Sequence, residues 1–346
     1  MTLSYRTRRN LRRAGKALLI ITVAGTLVWL CWMVWVARFI IYDRDLGALL
    51  DFDLGPFPEG VLAAPPTEGD PVDIFYNEPN VDTPNVEVVQ TSIQGYYVNL
   101  SDLQKDIPSV QTKLEALPAG TAVLIDVKSP KGYFYYSSDI TDSATTTTMN
   151  TEQMDGLIEY LASSDLHLIA RLPAFRDWRY GLNHVPSGLP LKNGDGALWM
   201  DGTGCYWLDP TDEQAMNYLV RITKELQSLG FDEVVFDDFC FPSTDKVRFP
   251  ANMEQAIVDA AATLATACAT EQFCVSFIAT DPSFPLPSGN CRVYLQGVAA
   301  EDAETVALQV ATDNPALHVL FMTTTSDASD TRFNKYCVLR PLESAH

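Results

Sequence analysis

The chain has 346 residues, enough for one large domain with appendages or for two ordinary domains. Its formal charge is −20. Residues 1–16 hold six of the 24 basic groups and none of the 44 acids, so the remainder carries −26. A surface that acidic repels phosphate backbones and anionic headgroups, which argues against nucleic acid as a partner.

In chain order, Arg6, Arg8, Arg9, Arg12, Arg13 and Lys16 form a basic tail over residues 1–16. The stretch ALLIITVAGTLVWLCWMVWVA, residues 17–37, then runs without a charge. That is the length a bilayer core demands of a helix, so a transmembrane signal anchor is predicted over 17–42, with the basic tail cytoplasmic and all that follows extracytoplasmic. A cleavable signal peptide competes, but its apolar region is shorter and ends in small residues, where this chain has Trp35. Residues 43–90 carry seven prolines and, among basic groups, only Arg44, which reads as an acidic stalk with a short strand at 72–76. Six cysteines lie beyond the span: Cys205, Cys240, Cys268, Cys274, Cys291 and Cys337. An exported chain permits disulfides, with Cys268 and Cys274 the most local pair, and small buried hydrophobes are the equal alternative.

From residue 91 to 346 eight apolar runs alternate with amphipathic segments: 93–99, 122–127, 166–172, 233–236, 273–278, 291–295, 317–322 and 336–340. Nearly continuous apolar runs fit strands covered on both faces, as in a parallel sheet. Helices are predicted over 151–164, capped by Asn150, over 212–229, stopped by Gly230, and over 253–270. This order predicts a (β/α)8 TIM barrel with degenerate helices after the fifth and seventh strands. An open doubly wound sheet fits less well, because no glycine-rich phosphate loop follows the first strand.

Barrels place chemistry at the C-terminal ends of their strands. Asn99 ends the first run, Asp126 and Lys128 the second, Arg171 the third with Arg176 and Asp177 beyond it, and Asp237 with Asp238 the fourth. Because side chains alternate along a strand, Asp237 is expected in the barrel mouth, with Arg171 as a ready partner, and Asp238 on the opposite side toward a helix or loop. A structural ion pair is the plainer alternative for Asp237 and Arg171. The loop GDGALWMDGTGCYWLDPTDE, residues 194–213, offers Trp199, Tyr206 and Trp207 as a stacking surface for sugar rings, or equally as a plug packed on the barrel. Asp209, before Pro210, suits a turn cap. Asp126, Asp237 and Asp238 offer hard oxygen ligands of the kind calcium takes as an alternative reading, and the leading reading needs no metal or cofactor.

Five blocks, GYYVN (95–99), LIDVKSPKGYFYYSSDI (124–140), LIARLPAFRDW (168–178), LWMDGTGCYWLDPTDEQAMNYL (198–219) and GFDEVVFDDFCFP (230–242), together resemble a bacterial family of putative glycoside hydrolases with a TIM-barrel fold, formerly a domain of unknown function. The resemblance covers about residues 92–250. It implies that Asp126, Arg171, Asp177, Trp207, Asp209 and Asp237 occupy family positions. After the family's aspartate, where tyrosine and arginine are usual, this chain has Asp238 and Cys240. The resulting expectation is a membrane-anchored extracytoplasmic hydrolase acting on a polysaccharide or cell-surface glycan by two-carboxylate chemistry. Asp237 is the expected nucleophile or base, and Asp126, Asp238, Asp281 and Glu301 compete as the acid. Asn99, Lys128, Arg171, Asp177, Trp199, Trp207 and Asp209 are the expected substrate contacts. A barrel that binds glycans or scaffolds envelope components without turnover is the alternative.

Overall fold

A computed structural model describes Thr26, Trp29 and residues 40–43, 47–50, 92–140, 143–194, 196–249 and 251–342. The chain divides into two units, Met1–Thr83 and Pro84–His346. In the first, Thr26 and Trp29 are helical, and strands β1 (Ile40–Asp43) and β2 (Gly47–Leu50) pair as an antiparallel ribbon. Residues 40–42, the end of the predicted span, therefore lie in a strand and not in a helix, whereas its remaining residues beyond Thr26 and Trp29 and the predicted strand at 72–76 lie outside the described residues. Among the described residues no helix is long and apolar enough to cross a membrane.

In the second unit eight parallel strands close into a barrel: β3 (Gln94–Tyr97), β4 (Ala122–Asp126), β5 (His167–Pro173), β6 (Glu233–Asp237), β7 (Cys274–Ala279), β8 (Val293–Gln296), β9 (Val319–Met322) and β10 (Cys337–Pro341). Each strand hydrogen-bonds its sequence neighbours, and β10 pairs with β3 to close the ring. Every predicted apolar run holds one strand. The reason is visible in β4, whose five residues are all buried, because one face lines the barrel and the other meets the surrounding helices.

Helices α1 (Leu100–Lys105), α2 (Ile107–Glu115), α3 (Thr151–Ala162), α4 (Trp178–Asn183), α5 (Glu213–Ser228), α6 (Met253–Cys268), α7 (Ala303–Val310) and α8 (Pro315–His318) supply the outer layer. Helix α5 buries Met216, Leu219, Ile222 and Leu226 on one stripe. Its N-cap Asp212 accepts from the Ala215 amide at 2.8 Å, and Gly230, at φ +90°, carries the chain out of the helix toward β6. No helix separates β7 from β8, and a single 3₁₀ segment, Thr331–Lys335, separates β9 from β10. These are the two intervals too short for a full helix.

Among the described residues the six cysteines form no disulfide with one another, so the local pair Cys268 and Cys274 is not bridged. Cys268 packs in the core at the end of α6, whereas Cys274 begins β7 and meets the Ser276 hydroxyl across 3.3 Å. Five of the six are buried, in keeping with their use as small hydrophobes.

The barrel interior is layered. Ala122, Leu124, Ile169, Val235, Tyr294, Leu320 and Leu339 fill its middle. Beneath them Glu233, at the N-terminal end of β6, accepts from Ser276 Oγ at 2.6 Å and Tyr294 Oη at 2.9 Å, lies 3.1 Å from His167 Nε2 and pairs with Arg292. Burial opposes the Glu233 charge, but Arg292 and then His167 outweigh it and bring its pKa down to about 2.

Candidate functional site

The opposite end of the barrel is polar and open. Asp126, Arg171 and Asp237 each continue an inward-facing series, Ala122–Leu124–Asp126, His167–Ile169–Arg171 and Glu233–Val235–Asp237, so the period of two delivers all three side chains to the mouth. Tyr97 joins them from β3, its hydroxyl donating to the Thr323 carbonyl at 3.1 Å.

Arg171 grips Asp126 with a two-pronged contact, Nε to Oδ1 at 2.5 Å and Nη2 to Oδ2 at 2.9 Å. This corrects the expected pairing of Arg171 with Asp237. Strand register decides the matter, because Asp126 stands beside Arg171, whereas Asp237 stands beside Pro173. Burial disfavours the guanidinium, but Asp126 and then Asp237 hold its pKa above the usual value. Asp237 therefore feels the cation without being bound by it. Among the described residues its carboxylate accepts only from the Asp238 amide, at 2.8 Å.

Asp238 departs from the alternation expected of it. Its φ is +48°, in the left-handed region that few non-glycine residues enter and that aspartate tolerates better than most. This turn ends β6 and leaves both aspartates half-exposed on one cleft of about 300 Å³, shared with Cys240, Phe241, Ile257 and Phe284. The cleft lies between the β6–α6 connection, the first turns of α6 and the loop after β7. Burial, and then the charge of Asp237, raise the pKa of Asp238, with Arg176 partly offsetting them. Arg176 Nη1 stands 3.5 Å from Asp238 Oδ2.

The other expected contacts separate into rim and interior. Lys128 and Asp177 pair at 2.6 Å with no side-chain exposure, and Asp177 also accepts from the Tyr180 amide at 2.8 Å and Tyr218 Oη at 3.2 Å. They tie β4, α4 and α5 together and present no surface to a ligand. Gly132, at φ +79°, lies against this pair, since a Cβ there would come within 2.4 Å of Asp177 Oδ1. Trp207 is only 7 % exposed and donates its indole N–H to Asp201 at 3.2 Å, while Trp199 and Tyr206 stay half-exposed. The two indoles lie 6.4 Å apart and tilted by 52°, so they form no single flat platform. Asp209 caps its own turn through the Thr211 amide at 2.8 Å and hydroxyl at 2.6 Å. Asn99 is half-buried where β3 leads into α1, and its carbonyl accepts from the Asp102 and Leu103 amides. Asp126, Asp237 and Asp238 do not converge as a calcium set: Arg171 occupies both oxygens of Asp126, and among the described residues no group of three or more ligating side chains is placed to hold a metal.

Asp201 is a residue that the sequence pattern does not single out. It accepts from Arg176 Nε at 2.7 Å, the Thr203 and Cys205 amides at 2.9 Å each, Thr203 Oγ1 at 2.8 Å and the Trp207 indole. Burial works against its charge, but these donors, the Cys205 amide foremost, keep its pKa far below the ordinary carboxylate range. The one sequence signal is Asp-Gly-Thr, an Asx-turn pattern. It is lost inside a loop that stands out first for its aromatics.

Residues 109–277 match the family model described as "Putative glycosyl hydrolase domain". Just under half of the chain is therefore similar to that family. The match begins later than the resembling blocks and runs past residue 250 into β7, where the sequence offers no recognisable block. The barrel superposes on the glycoside hydrolase domain of PgaB (BpsB) from Bordetella bronchiseptica with a TM-score of 0.50, at 10 % identity, over 72 % of this chain and 93 % of that one. This likeness bears on the fold of the domain. A hypothetical protein from Ruminiclostridium thermocellum ATCC 27405 aligns at 23 % identity and TM-score 0.43, over 57 % of this chain and 96 % of that one. The glycoside hydrolase domain of PelA from Pseudomonas aeruginosa aligns at 11 % identity and TM-score 0.45, over 72 % and 94 %. No curated protein matches this chain.

Proposed function

We propose that this glycoside hydrolase-like domain hydrolyses glycosidic bonds of a polysaccharide, with Asp237 as base or nucleophile and Asp238 as general acid. The observation that carries the reading is two adjacent carboxyls on one open cleft in unlike states: Asp237 without a side-chain partner among the described residues, and Asp238 with its proton affinity raised. The other candidate acids fit less well. Asp126 is clamped by Arg171. Asp281 lines the cleft, but the Ser283 amide at 2.8 Å favours its charged form. Glu301 faces Arg332 at 3.8 Å in a different hollow.

In the reaction Asp238 gives its proton to the departing glycosidic oxygen while the bond to the anomeric carbon breaks. Asp237 either takes a proton from the attacking water or bonds to that carbon first, water then releasing the sugar. The half-exposed Trp199 and Tyr206 are the aromatic faces on which sugar rings can stack. The uncharged stretch 17–37 behind a basic tail supports a membrane anchor that holds the domain outside the cytoplasm.

One experiment bears on both parts. Membranes carrying the full chain are washed with alkali and incubated with a polysaccharide panel, and reducing ends are counted. Release from at least one polymer is expected, falling by about 10²–10⁴-fold in Asp237→Asn and Asp238→Asn while polymer binding persists. Polymer binding by the native chain with no release would establish the non-hydrolytic alternative, and loss of the chain in the wash would remove the anchor.

A further inference from the structure

The guanidinium of Arg176 serves three carboxylate or hydroxyl partners with three different nitrogens. Nε meets Asp201 at 2.7 Å, Nη2 meets Thr203 Oγ1 at 2.5 Å and Nη1 faces Asp238 at 3.5 Å. Thr203 is itself oriented by Asp201, through its hydroxyl at 2.8 Å and its amide at 2.9 Å. The loop is fastened at the same place by backbone, because Arg176 bridges Trp207 and the Asp177 amide donates to the Tyr206 carbonyl at 3.0 Å. Asp201 thus acts as a hub that fixes one cation and, through two further donors, Cys205 and Trp207, the aromatic loop. Nothing on β6 itself supplies a positive charge to Asp238. Residues 233–245 contain no Lys or Arg, so the cation reaches Asp238 from the neighbouring strand's loop.

We propose that Arg176 and Asp201 are positioning residues for the acid/base pair: Asp201 fixes the Arg176 fork, and the fixed fork sets the charge state of Asp238 and links it to the aromatic loop at 194–212. The assignment of Asp238 as acid rests on the function proposed above, whereas the electrostatic link stands on the geometry alone. A fork held by two partners cannot rotate to give Asp238 a full two-pronged bond, and that leaves the carboxyl able to take and release a proton. A free guanidinium would clamp it as Arg171 clamps Asp126. The other ionisable groups that face Asp238 are Asp237 and Cys240 from its own segment and, across the cleft, Glu254 of α6 and Asp281 of the loop after β7.

The test is a carboxyl ¹³C NMR titration of the full-length chain labelled at aspartate, with Asp238 assigned by its loss in Asp238→Asn. No substrate enters the measurement, so a chain that hydrolyses nothing still answers it, and failure of the hydrolytic reading stays distinguishable. In the otherwise native chain Arg176→Gln is expected to move the Asp238 midpoint to higher pH, and Arg176→Lys, which keeps the charge without the fork, to move it less. In an Asp201→Asn background, where the fork is free to turn and clamp Asp238, the Arg176→Gln shift is expected to grow. Thermal melts accompany each variant. Asp201→Asn is a neutral isosteric change that keeps an acceptor oxygen for the Thr203 and Cys205 amides, so folding is retained. A midpoint indifferent to Arg176→Gln overturns the proposal. A shift no larger in the Asp201→Asn background shows that Asp201 does not restrain the fork, which also overturns it.

Discussion

At Asp238 the backbone conformation and the chemistry are one arrangement. A left-handed residue at the end of a strand costs of order 1–3 kcal/mol where the side chain is poorly suited, and aspartate or asparagine lowers that cost. Asp238→Asn therefore removes the charge while keeping a residue that tolerates φ +48°, which alanine does not. Its neighbour Cys240 reports the local field. Burial, then the charges of Asp238 and Asp237, push the Cys240 thiol up to about 11. Since the thiolate is the nucleophile, iodoacetamide at pH 8 should label Cys240 on the order of a hundred-fold more slowly than an exposed thiol, and Asp238→Asn should speed it. Peptide mapping resolves Cys240 from the five buried thiols, and labelling at the rate of a free thiol would show that the two charges do not reach it. Of this site, the sequence displays the parts that obey strand periodicity, namely Asp126, Arg171 and Asp237 at strand ends. It does not display what depends on register or on departure from regular backbone. The Arg171–Asp126 pairing is set by which residues stand side by side, the shared cleft of Asp237 and Asp238 by one positive φ, and Asp201 by a loop that folds back 25 residues to reach Arg176.

At the scale of elements, legibility follows burial. Strands covered on both faces must be apolar nearly throughout, so all eight are visible as runs, with ends displaced by one or two residues at most in cases such as β4 and β6. Helices with strong end signals, Asn150 before α3 and Gly230 after α5, are equally plain. The short pieces α1, α4 and α8 are not, because four to six residues offer too few turns for a periodic signal. One glycine shows how tightly the strands fix each other. Gly95 of β3 lies in register with Ala122 of β4, and a Cβ added there would meet the Ala122 carbonyl oxygen at 1.9 Å. The obstacle is backbone on both sides, so no side chain can yield. Gly95→Ala is expected to cost about 4 kcal/mol or more, in the range reserved for severe core disruption, and to lower the urea midpoint accordingly. An unchanged midpoint would mean that the β3–β4 pairing is looser than its register implies.

For the barrel as a whole, the two ends divide the labour between stability and chemistry. The mouth keeps a carboxylate with no side-chain partner among the described residues and an open cleft, whereas the floor spends its polar groups on one another: Glu233 meets Arg292, His167, Ser276 and Tyr294. That closure has a pH signature. Glu233 has a folded pKa of about 2 against an ordinary 4.5, so its contribution is fully present above 4.5 and is lost as pH falls through 2. Replacing it by glutamine removes that contribution at every pH and leaves the Arg292 charge buried without its carboxylate, a loss of about 3–5 kcal/mol when one partner of a buried pair is deleted. The native chain and Glu233→Gln should therefore differ most in melting temperature near neutral pH and converge as the solution is acidified from about 4.5 toward 2. Because every other carboxylate titrates in both proteins, the narrowing difference isolates the floor. A gap that stayed constant across that interval would show that Glu233 gains no stability from its charge in the folded barrel, and the floor would then be held by packing around Tyr294 and Ser276 alone.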